Sequence, residues 1–448
     1  MNIPPTASPP IPPSCPPLQG GDGAGEPAPG GSSRPAAQPQ RFVAYERFLD
    51  CVHCGLCLSA CPTYLDLGTE MDSPRGRIYL MRGLEDGTLP LSTDVVQHLD
   101  LCLGCRACET ACPSGVRYGE LIEGVRSFVE EHHQRPPLDR VRRRLITLVF
   151  PRPALLRHLL LPLRLLEVLG ILPLLRRVSG TVAMLPRLHG WARLPRLTPA
   201  RTAPRYRVGL IEGCVAQVLF AATNRATVRV LARNGCDVSA PPAQTCCGAL
   251  YLHAGDRHTA LDCARRNIDA FPADLDAIIV NAAGCGAMLK EYGALLAGDP
   301  AYAERARAFS SKVRDVTEFL GAIPLAAPTR RIDARVTYHD ACHLAHGQGV
   351  REAPRALLRQ IPGLSLVELP DSDVCCGSAG SYSLTEPALA RRFGERKAAS
   401  IRTTGATLVA AANPGCVMQI QGALRRAGLD VTVRHPVELL DEAYEAPG

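Results

Sequence analysis

Residues 51–62 have the sequence CVHCGLCLSACP, and residues 102–113 have the sequence CLGCRACETACP. Both segments contain the spacing Cys-x2-Cys-x2-Cys-x3-Cys-Pro. In the bacterial ferredoxin type of site, this spacing binds [4Fe–4S] clusters, and the fourth cysteine of each run ligates the cluster of the other run. Thiolates two residues apart on a tight loop can converge on one cluster, and the proline after the fourth cysteine interrupts the local helix. The two runs therefore predict one domain that binds two clusters.

Crossed ligation divides these eight cysteines into two predicted ligand sets. The first set consists of Cys51, Cys54, Cys57 and Cys112. The second set consists of Cys102, Cys105, Cys108 and Cys61. Zinc is the alternative metal for sulfur-rich sites. Zinc sites usually contain two separated Cys-x2-Cys pairs, so the spacing favours iron–sulfur clusters.

The composition limits the classes of protein to consider. The chain has 448 residues, 19 cysteines and a net charge of +7, which is long enough for two to four domains. Between residues 141 and 200, eleven arginines and a single acid give +10, so the remaining chain carries −3 and no nucleic-acid partner is predicted. Residues 1–40 are rich in Pro, Gly, Ala and Ser and predict a disordered tail without a secretory signal. Many cysteines without such a signal indicate a cytoplasmic protein that ligates metal.

Four segments follow the tail, and together they predict an α+β multidomain protein. A helical, two-cluster ferredoxin-type domain spans residues 41–135, and an amphipathic linker rich in Arg and Leu spans residues 136–205. Residues 206–328 and 329–448 form an internal duplication, in which strands alternate with helices. Such alternation predicts two small α/β domains with mostly parallel sheets.

Two features of the first half leave alternatives open. Ser73 and Pro74 predict the N-cap and first position of a helix. The following Arg75 and Arg77 either compensate the charge of a cluster, pair with acids of a partner or belong to a solvated turn. In the linker, leucines interspersed with arginines predict short surface helices, which pack either on protein or on an anionic membrane.

Each half of the duplication repeats a layout of four cysteines around a Cys-Cys-Gly sequence. We expect strands at residues 207–211 and 277–280 in the first copy, and at 335–338 and 406–409 in the second. The cysteines follow these strands or lie at glycine-containing turns, where α/β sheets tend to bind ligands. They form a candidate metal set in each copy: Cys214, Cys246, Cys247 and Cys285, then Cys342, Cys375, Cys376 and Cys416. A further cluster, zinc and buried structural cysteines stay open as interpretations.

The second copy also contains three histidines within residues 339–348, HDACHLAHGQ. These histidines could tune a cluster, shuttle protons or bind a quinone-like acceptor. The alternative is a hydrogen-bonded strand end. Asp340 and His343 are the candidates in this segment.

The paired cysteine runs, the SPRGR sequence of residues 73–77 and the two Cys-Cys-Gly modules resemble the glycolate oxidase iron–sulfur subunit family. The similarity is most pronounced in residues 339–348 and in CCGSAGSYS at residues 375–383, and it covers residues 41–448. It implies two [4Fe–4S] clusters and two duplicated CCG domains. It also implies an oxidoreductase subunit that takes electrons from FAD-containing 2-hydroxy-acid dehydrogenase subunits, which oxidise glycolate to glyoxylate, and passes them toward quinone or another respiratory acceptor.

On this interpretation the chain holds no catalytic residue, and no G-x-G-x-x-G dinucleotide motif is found in it. The resemblance also leaves alternatives open: an iron–sulfur subunit of a D- or L-lactate or glycerol-3-phosphate dehydrogenase system, a stand-alone CCG-domain reductase, and a zinc-binding scaffold. Related heterodisulfide reductases have a fifth cysteine in each module, where this chain has Met288 and Gln419. The expected location is cytoplasmic, with peripheral contact to the inner membrane as an open alternative.

Overall fold

The computed structural model describes residues 42–444, except residues 179, 187 and 189–192. The disordered tail predicted for residues 1–40 lies outside the described residues. A helical region is followed by two α/β units, each built around its own sheet. The predicted α+β class is therefore confirmed, whereas the domain boundaries stay a prediction.

Residues 42–135 are helical. The helices are α1 (Glu46–Leu49), α2 (Pro62–Leu67), α3 (Pro74–Glu85), α4 (Thr93–Asp100), α5 (Ala107–Thr110) and α6 (Tyr118–His132), with a 3-10 helix at Glu70–Asp72. Ser73 caps α3 as expected, because its hydroxyl accepts a hydrogen bond from the Gly76 amide at 2.9 Å, and Pro74 begins the helix. Apolar residues of α1, α3 and α6 form a buried core that includes Cys102 and Cys108. The helices thus anchor the cysteine loops.

Four helices form the linker: α7 (Pro137–Val149), α8 (Pro153–Val168), α9 (Leu172–Val178) and α10 (Gly180–Ala183). Leu156 and Leu160 on one face of α8 are buried against residues 216–220. The linker therefore packs on protein along this face. Among the described residues, no single helix is long and apolar enough to cross a membrane, although α7 and α8 together, bent by 102°, satisfy the same length and composition test.

The first α/β unit contains five strands, β1 (Leu197–Thr198), β2 (Tyr206–Ile211), β3 (Cys236–Ser239), β4 (Ala277–Val280) and β5 (Val313–Asp315). Their order in the sheet is β1-β3-β2-β4-β5, and only β1 is antiparallel to its neighbour. The helices of this unit are α11 (Ala216–Leu219), α12 (Ala221–Arg233), α13 (Ala249–His253), α14 (Arg257–Ala270), α15 (Ala283–Lys290), α16 (Tyr292–Leu295), α17 (Ala303–Lys312) and α18 (Val316–Gly321).

The second unit repeats this plan with four parallel strands, β6 (Ala334–His339), β7 (Leu364–Val367), β8 (Leu408–Ala411) and β9 (Thr432–Arg434), in the order β7-β6-β8-β9. Its helices are α19 (Cys342–Ala345), α20 (Glu352–Arg359), α21 (Tyr382–Thr385), α22 (Pro387–Thr404), α23 (Pro414–Arg426) and α24 (Pro436–Tyr444). Strand β8 begins two residues later than expected. Gly405, with φ +62°, ends α22, and the chain needs residues 406–407 to enter the sheet.

The two α/β units share one hydrophobic core. Buried residues of β2 and α12 in the first unit and of β6, α20 and α24 in the second belong to the same cluster. Helix α24 lies against α12, where Arg229 pairs with Asp441 and the Asn234 amide donates to the Tyr444 hydroxyl at 3.3 Å. At the carboxyl ends of the strands, the Ala283 amide donates to the Ala412 carbonyl at 3.2 Å. The carboxyl edges of the two sheets are therefore adjacent.

Candidate metal centres

The two cysteine loops share a pattern of left-handed residues. Four residues have left-handed φ angles: His53 (+56°) and Gly55 (+83°) in the first loop, and Gly104 (+62°) and Arg106 (+64°) in the second. They occupy equivalent positions, two and four residues after the first cysteine of each run. A non-glycine residue is uncommon in this conformation, and here one occurs in each loop. The repeated spacing is therefore accompanied by a repeated fold of the loop.

The first predicted ligand set lines one cavity. Its walls include Cys51, Cys54, Cys57 and Cys112, which means that the last cysteine of the second run lies beside the first run. Burial raises the pKa of the Cys57 thiol to about 11, and the neighbouring Cys51 and Cys112 contribute to this rise. The neutral thiol of Cys57 is therefore favoured unless a bound cation or cluster stabilises the thiolate.

The second predicted ligand set lines a separate cavity and is more deeply buried. The cavity walls include Cys61, Cys102, Cys105 and Cys108, each less than 10% exposed. Burial raises the pKa of Cys105 and Cys108 well above the ordinary value, and nearby thiols add to the shift. The structure thus brings together the residues of each predicted set, although the ligand assignment itself stays a prediction.

A buried guanidinium lies beside the second set. Arg77 is 1% exposed, donates to the His98 carbonyl at 2.7 Å and the Thr63 hydroxyl at 3.0 Å, and pairs with Asp72. Although burial acts in the opposite direction, the pKa of Cys102 is lowered, chiefly by Arg77 and also by Arg126. Arg77 is therefore not part of a solvated turn, and its charge favours the thiolate form of the site.

The four candidate cysteines of the first α/β unit also converge. Cys214 follows β2, Cys246 and Cys247 precede α13, and Cys285 lies in α15. The Sγ atoms of Cys214 and Cys246 are 3.5 Å apart, and Cys247 interacts with both Cys246 and Cys285. Gly248 has φ +92° and donates its amide to the Cys246 sulfur at 3.4 Å. The left-handed turn lets both adjacent cysteines point into one site.

The second unit repeats this arrangement. Cys342 interacts with Cys375, Cys375 with Cys376, and Cys376 with Cys416. Gly377, with φ +85°, donates its amide to the Cys375 sulfur at 3.5 Å. Met288 and Gln419, which replace the fifth cysteines, are buried, and the Gln419 amide donates to the Ala390 carbonyl at 2.6 Å. Gln419 is therefore used in packing.

The polar residues at the end of β6 and just after it make different contacts. Asp340 accepts two hydrogen bonds from Arg355 at 2.8 and 2.7 Å, which makes it part of a buried ion pair. His343 Nδ1 lies 3.6 Å from the Cys342 sulfur. His339 is fully buried, and its ring lies within 4.8 Å of the sulfurs of Cys376 and Cys416. Burial lowers the pKa of His339 to about 3, so this imidazole is neutral.

The sequence includes His339 among three histidines near Cys342, but it does not single out His339 as a ligand. Aligning the two modules on their first cysteines would have found it, because β2 ends on Ile211 where β6 ends on His339. A histidine in place of an isoleucine at a buried strand end is a polar substitution that needs a partner.

The second cysteine set of the helical region lies against the second α/β unit. Cys105 belongs to one buried cluster with Cys342 and Cys375. The Tyr382 hydroxyl crosses this contact and donates to the Leu101 carbonyl at 3.1 Å. Two of the candidate metal sites are therefore neighbours within one packed interior.

Family models match both kinds of module: a 4Fe-4S dicluster domain matches residues 47–116, and a cysteine-rich domain matches residues 208–290 and 336–421. The chain is 39% identical to the probable glycolate oxidase iron–sulfur subunit of Bacillus subtilis (strain 168), over 89% of this chain and 94% of that protein. It is 40% identical to the glycolate oxidase iron–sulfur subunit of Escherichia coli (strain K12), over 88% of this chain and 94% of that protein. The chain belongs to the glycolate oxidase iron–sulfur subunit family. The family predicted from the motifs is confirmed.

Some relatives of this member of the glycolate oxidase iron–sulfur subunit family match only about half of the chain. The lactate utilization protein A of Shouchella clausii is 34% identical over 52% of this chain and 98% of that protein. A crystal structure of a hypothetical protein from Helicobacter pylori superposes with a TM-score of 0.54 and 9% identity, covering 84% of this chain and 68% of that one. This last similarity is one of fold alone.

Proposed function

We propose that the chain is the electron-transfer subunit of a glycolate oxidase complex. Its electrons come from an FAD-containing 2-hydroxy-acid dehydrogenase partner that oxidises glycolate to glyoxylate, and they pass toward quinone or another respiratory acceptor. Membership of the glycolate oxidase iron–sulfur subunit family supports this role. The observation that carries it is the convergence of four thiols at each of two adjacent sites of the helical region.

Both sites fit a [4Fe–4S] cluster. Each offers three cysteines from a loop with left-handed residues and a fourth from the end of the other run, and the buried Arg77 supplies a compensating charge at the second site. A cluster of this type supplies a one-electron redox centre. Cys51, Cys54, Cys57 and Cys112 would hold the first, and Cys102, Cys105, Cys108 and Cys61 would hold the second. The role of the protein is to position these thiolates, offset their charge and keep water from the deeper site.

The contact between Cys105 and the second CCG module suggests the direction of transfer inside the chain. Cys54 of the first set is exposed, whereas Cys105 is buried against Cys342 and Cys375. We therefore expect electrons to enter near the first set, which a partner can reach, and to leave the second set toward the CCG module. The CCG thiols are at most 8% exposed except for Cys285, which favours electron transfer over direct attack on a bulky disulfide substrate.

We also propose a cytoplasmic protein with peripheral contact to the inner membrane through the linker. Leu138, Val141, Leu145 and Leu148 on α7 are 44–82% exposed, at the spacing of one helix face. On α8, Leu161, Leu165 and Val168 are 50–77% exposed, opposite the face that packs on protein. Arg144 and Arg152 are exposed nearby. Exposed leucines accompanied by arginines suit the headgroup region of an anionic bilayer.

The experiment is anaerobic co-purification of the tagged chain, followed by addition of glycolate, D-lactate, L-lactate or glycerol-3-phosphate. We expect glycolate to bleach the iron–sulfur absorbance when a flavoprotein co-purifies. Bleaching by another donor would keep the electron-transfer role and change the substrate. Oxidation of glycolate by the isolated chain would contradict the proposal, because the substrate site is assigned to the partner.

A further inference from the structure

We propose that His339 is a metal ligand, and that the second CCG module holds a mixed imidazole–thiolate centre with Cys376 and Cys416. Such a site would distinguish the second module from the first, whose cysteines have no histidine at the corresponding position. The inference does not depend on which substrate the complex oxidises.

Geometry provides the first argument. A ring nitrogen of His339 and the sulfurs of Cys376 and Cys416 all lie within 4.8 Å of one another. The three residues come from separate elements, the end of β6, the Cys-Cys-Gly turn and the start of α23. A single metal ion between them could therefore contact all three with small side-chain movements, since metal–nitrogen and metal–sulfur bonds are about 2.0–2.3 Å long.

Unsatisfied polar atoms provide the second argument. Both ring nitrogens of His339 are buried, and neither makes a hydrogen bond of full geometry to the described residues, although the Ser372 backbone interacts with the ring. Leaving a buried polar group unpaired is costly, and proteins avoid it unless something else satisfies the group. The sulfurs of Cys376 and Cys416 lie within 4.8 Å of a ring nitrogen, so a metal bound there would satisfy that nitrogen and both sulfurs together.

The surroundings suit a negatively charged centre. Lys397 is 3% exposed, interacts with Cys376 and Cys375, and donates to the Asp371 carbonyl. The Asn413 amide donates to the Cys416 sulfur at 3.5 Å. Hydrogen bonds and nearby cations of this kind orient and stabilise metal thiolates.

The ligand types favour two kinds of metal centre. Imidazole with thiolate ligands suits zinc, and it also suits the iron of an iron–sulfur cluster, in which histidine can replace cysteine. Cys375, which lies between Cys376 and Cys342, is available to complete either site. The module would therefore take one of these metals through the same residues.

The test compares the full-length wild-type chain with His339→Ile, which installs the residue found in the first module. The chains are purified anaerobically after labelling with ¹⁵N-histidine, and zinc, iron and sulfide are quantified. X-ray absorption at the zinc edge detects a zinc–nitrogen bond. Pulsed electron paramagnetic resonance of the reduced chain detects a histidine nitrogen coupled to iron. His435→Gln is the matched control, because His435 is also a buried, neutral histidine but lies outside the cysteine site.

We expect the wild type and His435→Gln to show a nitrogen ligand that His339→Ile lacks. Loss of a zinc–nitrogen signal would identify zinc, and loss of the coupled nitrogen would identify iron. An unchanged metal content together with unchanged or absent nitrogen signals in His339→Ile would overturn the proposal. If His339→Ile does not fold, His339→Cys decides, because a thiolate should restore the metal without the nitrogen signal. Failure of His339→Cys to bind metal, in a chain with wild-type circular dichroism, would also contradict it.

Discussion

Replacing Arg77 with methionine tests whether the second cysteine site depends on a buried cation. Arg77 is 1% exposed and holds the His98 carbonyl, the Thr63 hydroxyl and Asp72. Removing one partner of a buried ion pair typically costs about 3–5 kcal/mol, because the other charge is left without compensation. In the variant, the Asp72 carboxylate would still have His98 Nδ1 as a hydrogen-bond partner at 2.9 Å, so the lower end of that range applies. We expect Arg77→Met to reduce the free energy of unfolding by about 3 kcal/mol.

The assay is urea unfolding of anaerobically purified protein, monitored by circular dichroism. Arg75→Met is the matched control two residues earlier, since the Arg75 side chain is 30% exposed and its ion pair with Glu70 is worth about 0–1 kcal/mol. Adding Asp72→Asn to Arg77→Met removes the stranded carboxylate and should recover about 1–2 kcal/mol. Equal stability of Arg77→Met and Arg75→Met would refute the reasoning, because it would mean that the buried guanidinium contributes nothing.

Three further predictions concern other parts of the chain. Gly377→Ala should reduce the free energy of unfolding by more than about 1–2 kcal/mol, because the new Cβ would lie 2.9 Å from the Phe393 Cβ. Gly349→Ala, at φ +71° with nothing within 4 Å, should reduce it by only about 1 kcal/mol. Equal losses of stability in thermal unfolding would contradict the steric argument. Burial lowers the pKa of His435 from its ordinary 6.5 to about 3, so its contribution to stability is present above pH 6.5 and is lost as the pH falls toward 3. When the pH is lowered from 6.5 to 5, the free energy of unfolding should therefore fall by about 2 kcal/mol less in His435→Asn than in the wild type, as measured by urea unfolding. An equal fall in both chains would refute this. The double variant Leu145→Gln and Leu148→Gln should weaken co-sedimentation with anionic vesicles about tenfold, whereas Leu384→Gln, on an exposed residue outside the linker, should not; unchanged binding of the double variant would rule out this face of α7.

Features that depend on a local sequence pattern could be predicted from the sequence. The spacing of the two cysteine runs anticipated that Cys112 lies beside Cys51 and Cys57, because crossed ligation demands it. The cap at Ser73 and the strands after residues 206 and 277 were predicted because their signals are local.

What the sequence left unresolved depends on distant parts of the chain. Nothing next to Arg77 in the sequence indicates that it is buried, since its partners lie in α2, in the 3-10 helix and in α4. The two faces of α8 look alike in sequence, yet one packs on residues 216–220 and the other is exposed. The proximity of the His339 ring to Cys376 and Cys416 is evident only once β6 and α23 are placed together.

The packing of α24 against α12 has a consequence for biosynthesis. The hydrogen bond between Asn234 and Tyr444 joins residues 210 positions apart, and both α/β units bury residues in this contact. At ribosomal speeds of about 5–20 residues per second, α24 is made roughly 10–40 seconds after α12. During that interval the first unit exposes the apolar face that α24 will cover. The nascent chain thus presents an apolar binding surface for chaperones until α24 has been made.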